Sequence, residues 1–210
     1  MRDAADRAPE TPQEFEKLIM SSPRSSYVWL RYMAYQMSVG AHDEAREVAE
    51  RALKAIPADE EEERMNVWVA YLNLENLHGK PEPREALLRL FERATKVANP
   101  KKLHLTLAGI YERDGNGEMA TQTLKTATRR FGHSAKVWLA YIRAAVVLHT
   151  GAGSFQDNNM NKKKKGFPGG GGGGDSSQQG EAIRKAMDRA TQSLPKRKHV
   201  KLLVQTALLE

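Results

Sequence analysis

A nine-residue phrase is written three times in this chain: YVWLRYMAY at 27–35, NVWVAYLNL at 66–74 and KVWLAYIRA at 136–144. Laid over one another, Trp29, Trp68 and Trp138 align, and Tyr32, Tyr71 and Tyr141 stand three residues on. Positions i and i+3 share one helix face, so each Trp–Tyr pair reads as an aromatic anchor on a buried stripe. The tryptophans are 39 and 70 residues apart. The second spacing is close to two units, which predicts a degenerate copy between them. LTLAGIYE supplies it, with Leu105 in the tryptophan place and Glu112 matching Glu75.

A second phrase follows each copy. Glu50-Arg51-Ala52, Glu92-Arg93-Ala94, Lys125-Thr126-Ala127 and Asp188-Arg189-Ala190 align, and the segments end at Pro57, Pro100, Gly132 and Pro195. Proline and glycine stop helices, and the small alanines let a second helix lie close to its neighbour. Helix, turn, helix, stop, at a fixed period, is the signature of stacked helical hairpins. The predicted fold is all-α: a right-handed α-solenoid of HAT/TPR-like helix-turn-helix repeats.

The remaining segments fit that frame. Thr11-Pro12-Gln13-Glu14 is a capping box with proline at the first helical position, which predicts a helix over 13–20 that caps the first repeat. Residues 1–10 read as a disordered N-terminus. The solenoid is expected over 11–210, as about four repeats plus a truncated fifth, with Leu203 in the tryptophan place and Glu210 in the place of Glu75. An array ending on half a pair reads as a piece of something longer. A glycine- and lysine-rich stretch over 151–180 cannot offset its ordering entropy and reads as a disordered insertion set in a turn.

Composition removes several function classes. Cysteine is absent, so there is no disulfide scaffold, thiolate zinc site or cysteine nucleophile. No apolar run approaches the length of a membrane span, and residues 1–12 lack the apolar core of a signal peptide. The chain reads as soluble and intracellular, with no membrane partner. His42, His78, His104, His133, His149 and His199 are scattered without ligand spacing, and no nucleophile elbow or phosphate loop occurs. The acidic run Asp59–Glu63 reads as a helix start, where negative charge suits the dipole. No catalytic, cofactor or metal residue is assigned; the chain is read as a non-enzyme with no cofactor.

The formal net charge is +7, which favours acidic partners. Lys162–Lys165 reads as a nuclear signal, a phosphate tether or a solubilising run. Arg129 and Arg130 read as helix-end charges that complement the dipole. Arg184, Lys185, Arg189, Lys196, Arg197, Lys198 and Lys201 crowd one turn region and form the candidate RNA-facing patch. The anchors Trp29, Tyr32, Trp68, Tyr71, Trp138 and Tyr141 read as core rather than base-stacking platforms. Glu75 and Arg93 lie on the two helices of one repeat and are expected to pair across the hairpin.

W-x2-Y-x3-E in the first helix, then E-R-A and proline in the second, resembles the HAT (half-a-TPR) repeat. Trp68, Tyr71, Glu75, Glu92, Arg93, Ala94 and Pro100 form its fullest copy. The entry helix, the S-S-P-x-S-S break at 21–26 and the E-E-E-R-x-N-V-W-V-A connection occur in an order similar to the C-terminal HAT region of the S1-domain rRNA biogenesis protein family. That resemblance implies a nucleolar scaffold in pre-rRNA processing and small-subunit assembly. Its implied partners are ribosome-biogenesis proteins of the small-subunit pre-ribosome, with pre-rRNA or U3 small nucleolar RNA beside them. The fragment is expected to be a monomer, because arrays of this kind self-associate through later repeats. Two other readings stay open: a HAT scaffold of pre-mRNA splicing or 3′-end processing, and a TPR-type protein-binding adaptor.

Overall fold

The computed structural model describes residues 9–150 and 176–207. Glu210 and most of the stretches read as disordered lie outside those residues. The chain divides into two compact units, Met1–Leu103 and His104–Glu210.

The first unit holds α1 (Pro12–Ser21), α2 (Ser26–Ser38), α3 (His42–Ala55), α4 (Glu61–His78) and α5 (Pro83–Thr95). The capping box forms as expected: the Glu14 amide donates to the Thr11 hydroxyl at 3.3 Å, and the Thr11 amide donates to the Glu14 carboxylate at 3.3 Å. That satisfies two of the amides a helix start leaves open. Helices α2 and α3 form one hairpin and α4 and α5 the next; α3 packs on α4, α2 on α4, and α1 on α2. In α3 the buried residues Ala45, Val48, Ala49, Ala52 and Leu53 form one stripe, as an amphipathic helix covered on one side requires. By contrast α4, with Val67, Trp68, Tyr71, Leu72 and Leu74 buried, is apolar over most of its girth because α2, α3 and α5 all touch it. Phe15 of α1 stacks on Tyr32 with centroids 5.0 Å apart, which closes the first aromatic anchor.

The second unit holds α6 from His104 onward (the whole helix is Pro100–Arg113), then α7 (Gly117–Arg130), α8 (Ala135–Thr150), α9 (Ser176–Ser193), a 3-10 turn at Lys196–Lys198 and α10 (His199–Ala207). Ala108, Leu124 and Ala144 bring α6, α7 and α8 into one cluster. Trp138, Ile142, Ala186, Ala190, Leu194 and Leu202 join α8, α9 and α10 in another. The four aligned alanines, Ala52, Ala94, Ala127 and Ala190, have no exposed surface, so each crossing is as close as a methyl group allows. The observed class is the all-α helical-repeat class expected from the two phrases.

Three sequence expectations shift. First, the degenerate copy is one residue out of the predicted register. Gly40 and Gly115, at φ 77° and 72°, end α2 and α6 in the left-handed conformation that glycine adopts without strain. Behind them the Ala41 amide bonds to the Gln36 carbonyl, and the Asn116 amide to the Tyr111 carbonyl. Aligned on these turns, His104 takes the place of Trp29 and Tyr111 that of Gln36. His104 is accordingly buried and edge-on to Phe131 at 5.6 Å, whereas Leu105 is half-buried and Glu112 is exposed. The same slip occurs in α10, where Leu202 is fully buried and Leu203 is 49% exposed.

Second, Pro100 does not stop α5, which ends at Thr95; it opens α6. The Asn99 side chain caps it by accepting the Lys102 amide at 3.2 Å, and proline at the first position donates no amide that the helix would need. Third, α9 begins at Ser176, inside the stretch read as insertion, because Ser-Ser-Gln-Gln before Gly180 is compatible with helix.

Gly109 sits inside α6, yet a Cβ there would meet nothing within 4 Å. Gly109→Ala should therefore raise stability by about 0.5–1 kcal/mol through helix propensity alone, checked by thermal and urea unfolding.

Candidate nucleic-acid interface

The arginine of the second phrase recurs for a reason that lies in the packing. The Arg51 guanidinium carbon stands 5.5 Å from the Trp29 ring centroid, and that of Arg93 5.2 Å from Trp68 and 5.7 Å from Tyr71. A guanidinium over an indole face is attracted by the ring quadrupole. Each arginine is then closed by a glutamate from the preceding outer helix. Both Arg51 amino nitrogens reach Glu16 of α1 at 2.7 Å, and Arg93 Nη2 reaches Glu50 of α3 at 2.6 Å. Burial pushes the Tyr71 phenol above its ordinary range, and the Glu50 carboxylate beside it pushes the same way.

The expected Glu75–Arg93 pair is therefore not the one that forms. Arg46 Nε donates to Glu75 at 2.7 Å, and its amino nitrogens donate to Asp43 at 2.6 Å and to the His78 carbonyl at 2.5 Å. The hairpin is antiparallel, so the C-terminal end of α5 lies beside the N-terminal half of α4. Arg93 thus meets Trp68 and Tyr71, while Glu75, one turn further along α4, faces the start of α3 and Arg46.

In the second unit the same positions carry different letters. Arg189 on α9 takes the Arg93 place, and Trp138 and Tyr141 take those of Trp68 and Tyr71. Where α3 offers Glu50, α7 offers Lys125; where α4 offers Glu75, α8 offers Ala145. A groove of about 670 Å³ opens there, lined by Lys125, Arg129 and Arg130 of α7, by Lys185 and Arg189 of α9, and by His133. Trp138 and Tyr141 line it, and among the described residues no aspartate or glutamate does. Among the described residues Arg189 has no carboxylate partner. Arg130 lies over the Phe131 ring at 5.6 Å, which fixes its stem.

The candidate RNA-facing patch is thereby divided. Lys185 and Arg189 face the groove, Lys185 with a helix-surface pair to Glu181 at 2.6 Å. Arg184 is exposed on α9 but does not line it. Lys196 and Arg197 are exposed on the 3-10 turn. Lys198 is half-buried and donates to the His133 carbonyl at 2.8 Å; it lines a second cavity, with Leu105, Leu139 and Arg143. Lys201 lies in α10, and its side chain is outside the described residues. Sequence reasoning missed Lys125 and set Arg129 and Arg130 aside as helix-end charges. The signal was present in the alignment of the second phrase, where Lys125 stands in the glutamate column.

The three tryptophans are 2–5% exposed, which makes them core. Trp29 Nε1 donates to the Pro23 carbonyl at 2.8 Å and Trp138 Nε1 to the Gly132 carbonyl at 2.7 Å. Tyr141 differs from Tyr32 and Tyr71 in being only half-buried. Among the described residues no group of three His, Asp or Glu side chains could hold a metal ion, and no helix is long and apolar enough to cross a membrane.

Residues 2–104 match the PRP39 N-terminal HAT repeat. Together with the stacked hairpins and their Trp–Arg–Glu anchors, this match supports a HAT-type helical-repeat fold. Nearly its whole length is also similar to a segment of much larger proteins. It is 40% identical over 203 residues to the rRNA biogenesis protein RRP5 of Arabidopsis thaliana, covering 97% of this chain and 9% of that protein. It is 35% identical over 204 residues to the human protein RRP5 homolog, with the same shares covered. With rRNA biogenesis protein rrp5 of Schizosaccharomyces pombe it shares 31% over 205 residues, 98% of this chain and 10% of that protein. The chain thus spans about a tenth of the length of the curated relatives it matches.

Proposed function

We propose that this chain is a non-catalytic HAT-repeat scaffold in ribosome biogenesis, supporting pre-rRNA processing and small-subunit assembly. The observation that carries the reading is the similarity along 97% of the chain to a protein named for rRNA biogenesis. The order of the entry helix, the serine-proline break and the acidic connection points more narrowly to the C-terminal HAT region of that family. Stacked hairpins present surface and fixed geometry rather than a reactive centre, which suits holding partners. Those partners are proteins of the small-subunit pre-ribosome, with pre-rRNA or U3 small nucleolar RNA touching the basic face of the second unit. The setting is the nucleolus, and this chain is a monomer.

The test is sedimentation of a nuclear extract that expresses the tagged chain. Co-migration with large small-subunit precursor particles is expected. Migration only as free protein or with spliceosomal particles would contradict the reading. The splicing alternative keeps one point in its favour, that the first half matches a HAT repeat not named for rRNA biogenesis.

A further inference from the structure

The two units build one device with opposite charge. In the first unit each anchor arginine is satisfied from inside the chain: Arg51 by Glu16 and Arg93 by Glu50. In the second, Arg189 stands in the same column of the repeat and lines one groove with Trp138 and Tyr141, and the position that should close it carries Lys125. Two cations lining one groove, with no carboxylate among its described lining residues, repel, and they gain when an external anion enters. Arg129, Arg130 and Lys185 extend the same sign along the groove. A fork-shaped guanidinium held beside an aromatic wall suits an anion that it can grip through two oxygens.

We infer that the groove between α7 and α9 binds the phosphodiester backbone of single-stranded RNA, with phosphates in the place that Glu16 and Glu50 fill in the first unit. This rests on the RNA contact in the proposed function and locates it: Lys125, Arg129, Arg130, Lys185 and Arg189 form the contact, and Lys196 and Arg197 on the 3-10 turn do not. RNA is favoured over an acidic peptide because the cations run along both walls and out to the end of α7, so several charges at backbone spacing are neutralised at once.

Lys125→Glu tests this in the full chain, because it installs the residue the other repeats use. The new carboxylate should capture Arg189, leave the fold intact by circular dichroism, and hold or raise the melting temperature. Binding of a fluorescently labelled single-stranded RNA is read by anisotropy across a salt series. Removing Lys125 and sequestering Arg189 takes away two phosphate contacts, so the slope of log affinity against log salt should shrink by about 1.4. Affinity near about 100 mM salt should fall by about one order of magnitude. Arg129→Ala/Arg130→Ala should weaken binding in the same direction, and Lys196→Ala/Arg197→Ala should leave it unchanged.

If the Lys196/Arg197 variant loses binding while Lys125→Glu keeps it, the groove is overturned and RNA contact survives elsewhere on the chain. Absence of RNA binding by the parent chain at low salt would overturn the inference, while the particle sedimentation above judges the scaffold reading separately. Preferential binding of a polyglutamate peptide that RNA cannot displace would also overturn it.

Discussion

Replacing Trp68 with alanine should cost about 3–5 kcal/mol, the range for deleting a large buried aromatic. Trp68 is 3% exposed on the helix that α2, α3 and α5 all cover. Its loss would also strand Arg93, which stands over the ring at 5.2 Å, and so loosen the contact with Glu50. Urea unfolding followed by far-ultraviolet dichroism should show a correspondingly lower midpoint. Trp68→Phe should be milder than Trp29→Phe. The Trp29 indole donates to the Pro23 carbonyl, a bond worth about 1 kcal/mol net, whereas Trp68 Nε1 has no acceptor among the described residues. Equal losses in the two phenylalanine variants would contradict this account of the anchors.

Arg46→Met should be of similar size, about 3–5 kcal/mol, because it leaves a buried carboxylate without its cation. Glu75 is 7% exposed, and Arg46 binds it at 2.7 Å while also gripping the His78 carbonyl. The double variant Arg46→Met/Glu75→Leu should recover most of that loss, since an apolar pair of similar volume avoids the desolvation of two charges. A double-mutant cycle therefore predicts strong coupling between Arg46 and Glu75 and much weaker coupling between Glu75 and Arg93. Strong coupling in the second pair would mean that the hairpin is held as the repeat pattern first suggested.

The repeat was legible because a helix writes its buried face at fixed spacing. Trp29, Trp68 and Trp138 and the alanines at 52, 94, 127 and 190 are all buried, as their alignment required. Register failed where the letters became degenerate. In α6 a leucine beside a histidine suggested the leucine as anchor, but the turn at Gly115 sets the face, and it turns His104 inward. The Glu75–Arg93 pairing failed for another reason: sequence shows that two charges share a repeat, not which end of an antiparallel hairpin each occupies. The groove was half legible. Lys185 and Arg189 came from local charge density, while Arg129 and Arg130 lie too far away in sequence to be joined to them without the packing of α7 and α9 around α8. Lys125 was visible only as a broken column, and its meaning needed the glutamates of the other repeats to be seen at work.

One network thus serves two ends. Closed by glutamate in the first unit, the Trp–Arg anchor stabilises a stack; in the second, lysine stands in the glutamate column and cations line the groove beside Trp138 and Tyr141. This suits a scaffold that holds protein and RNA together, which is the central claim. Its most direct test is ultraviolet crosslinking of the tagged protein in cells, followed by sequencing of the RNA retained after stringent washing. Enrichment of pre-rRNA and U3 small nucleolar RNA, reduced by Lys125→Glu, is the predicted result. Enrichment of spliceosomal RNA instead, or recovery of no RNA at all, would contradict it.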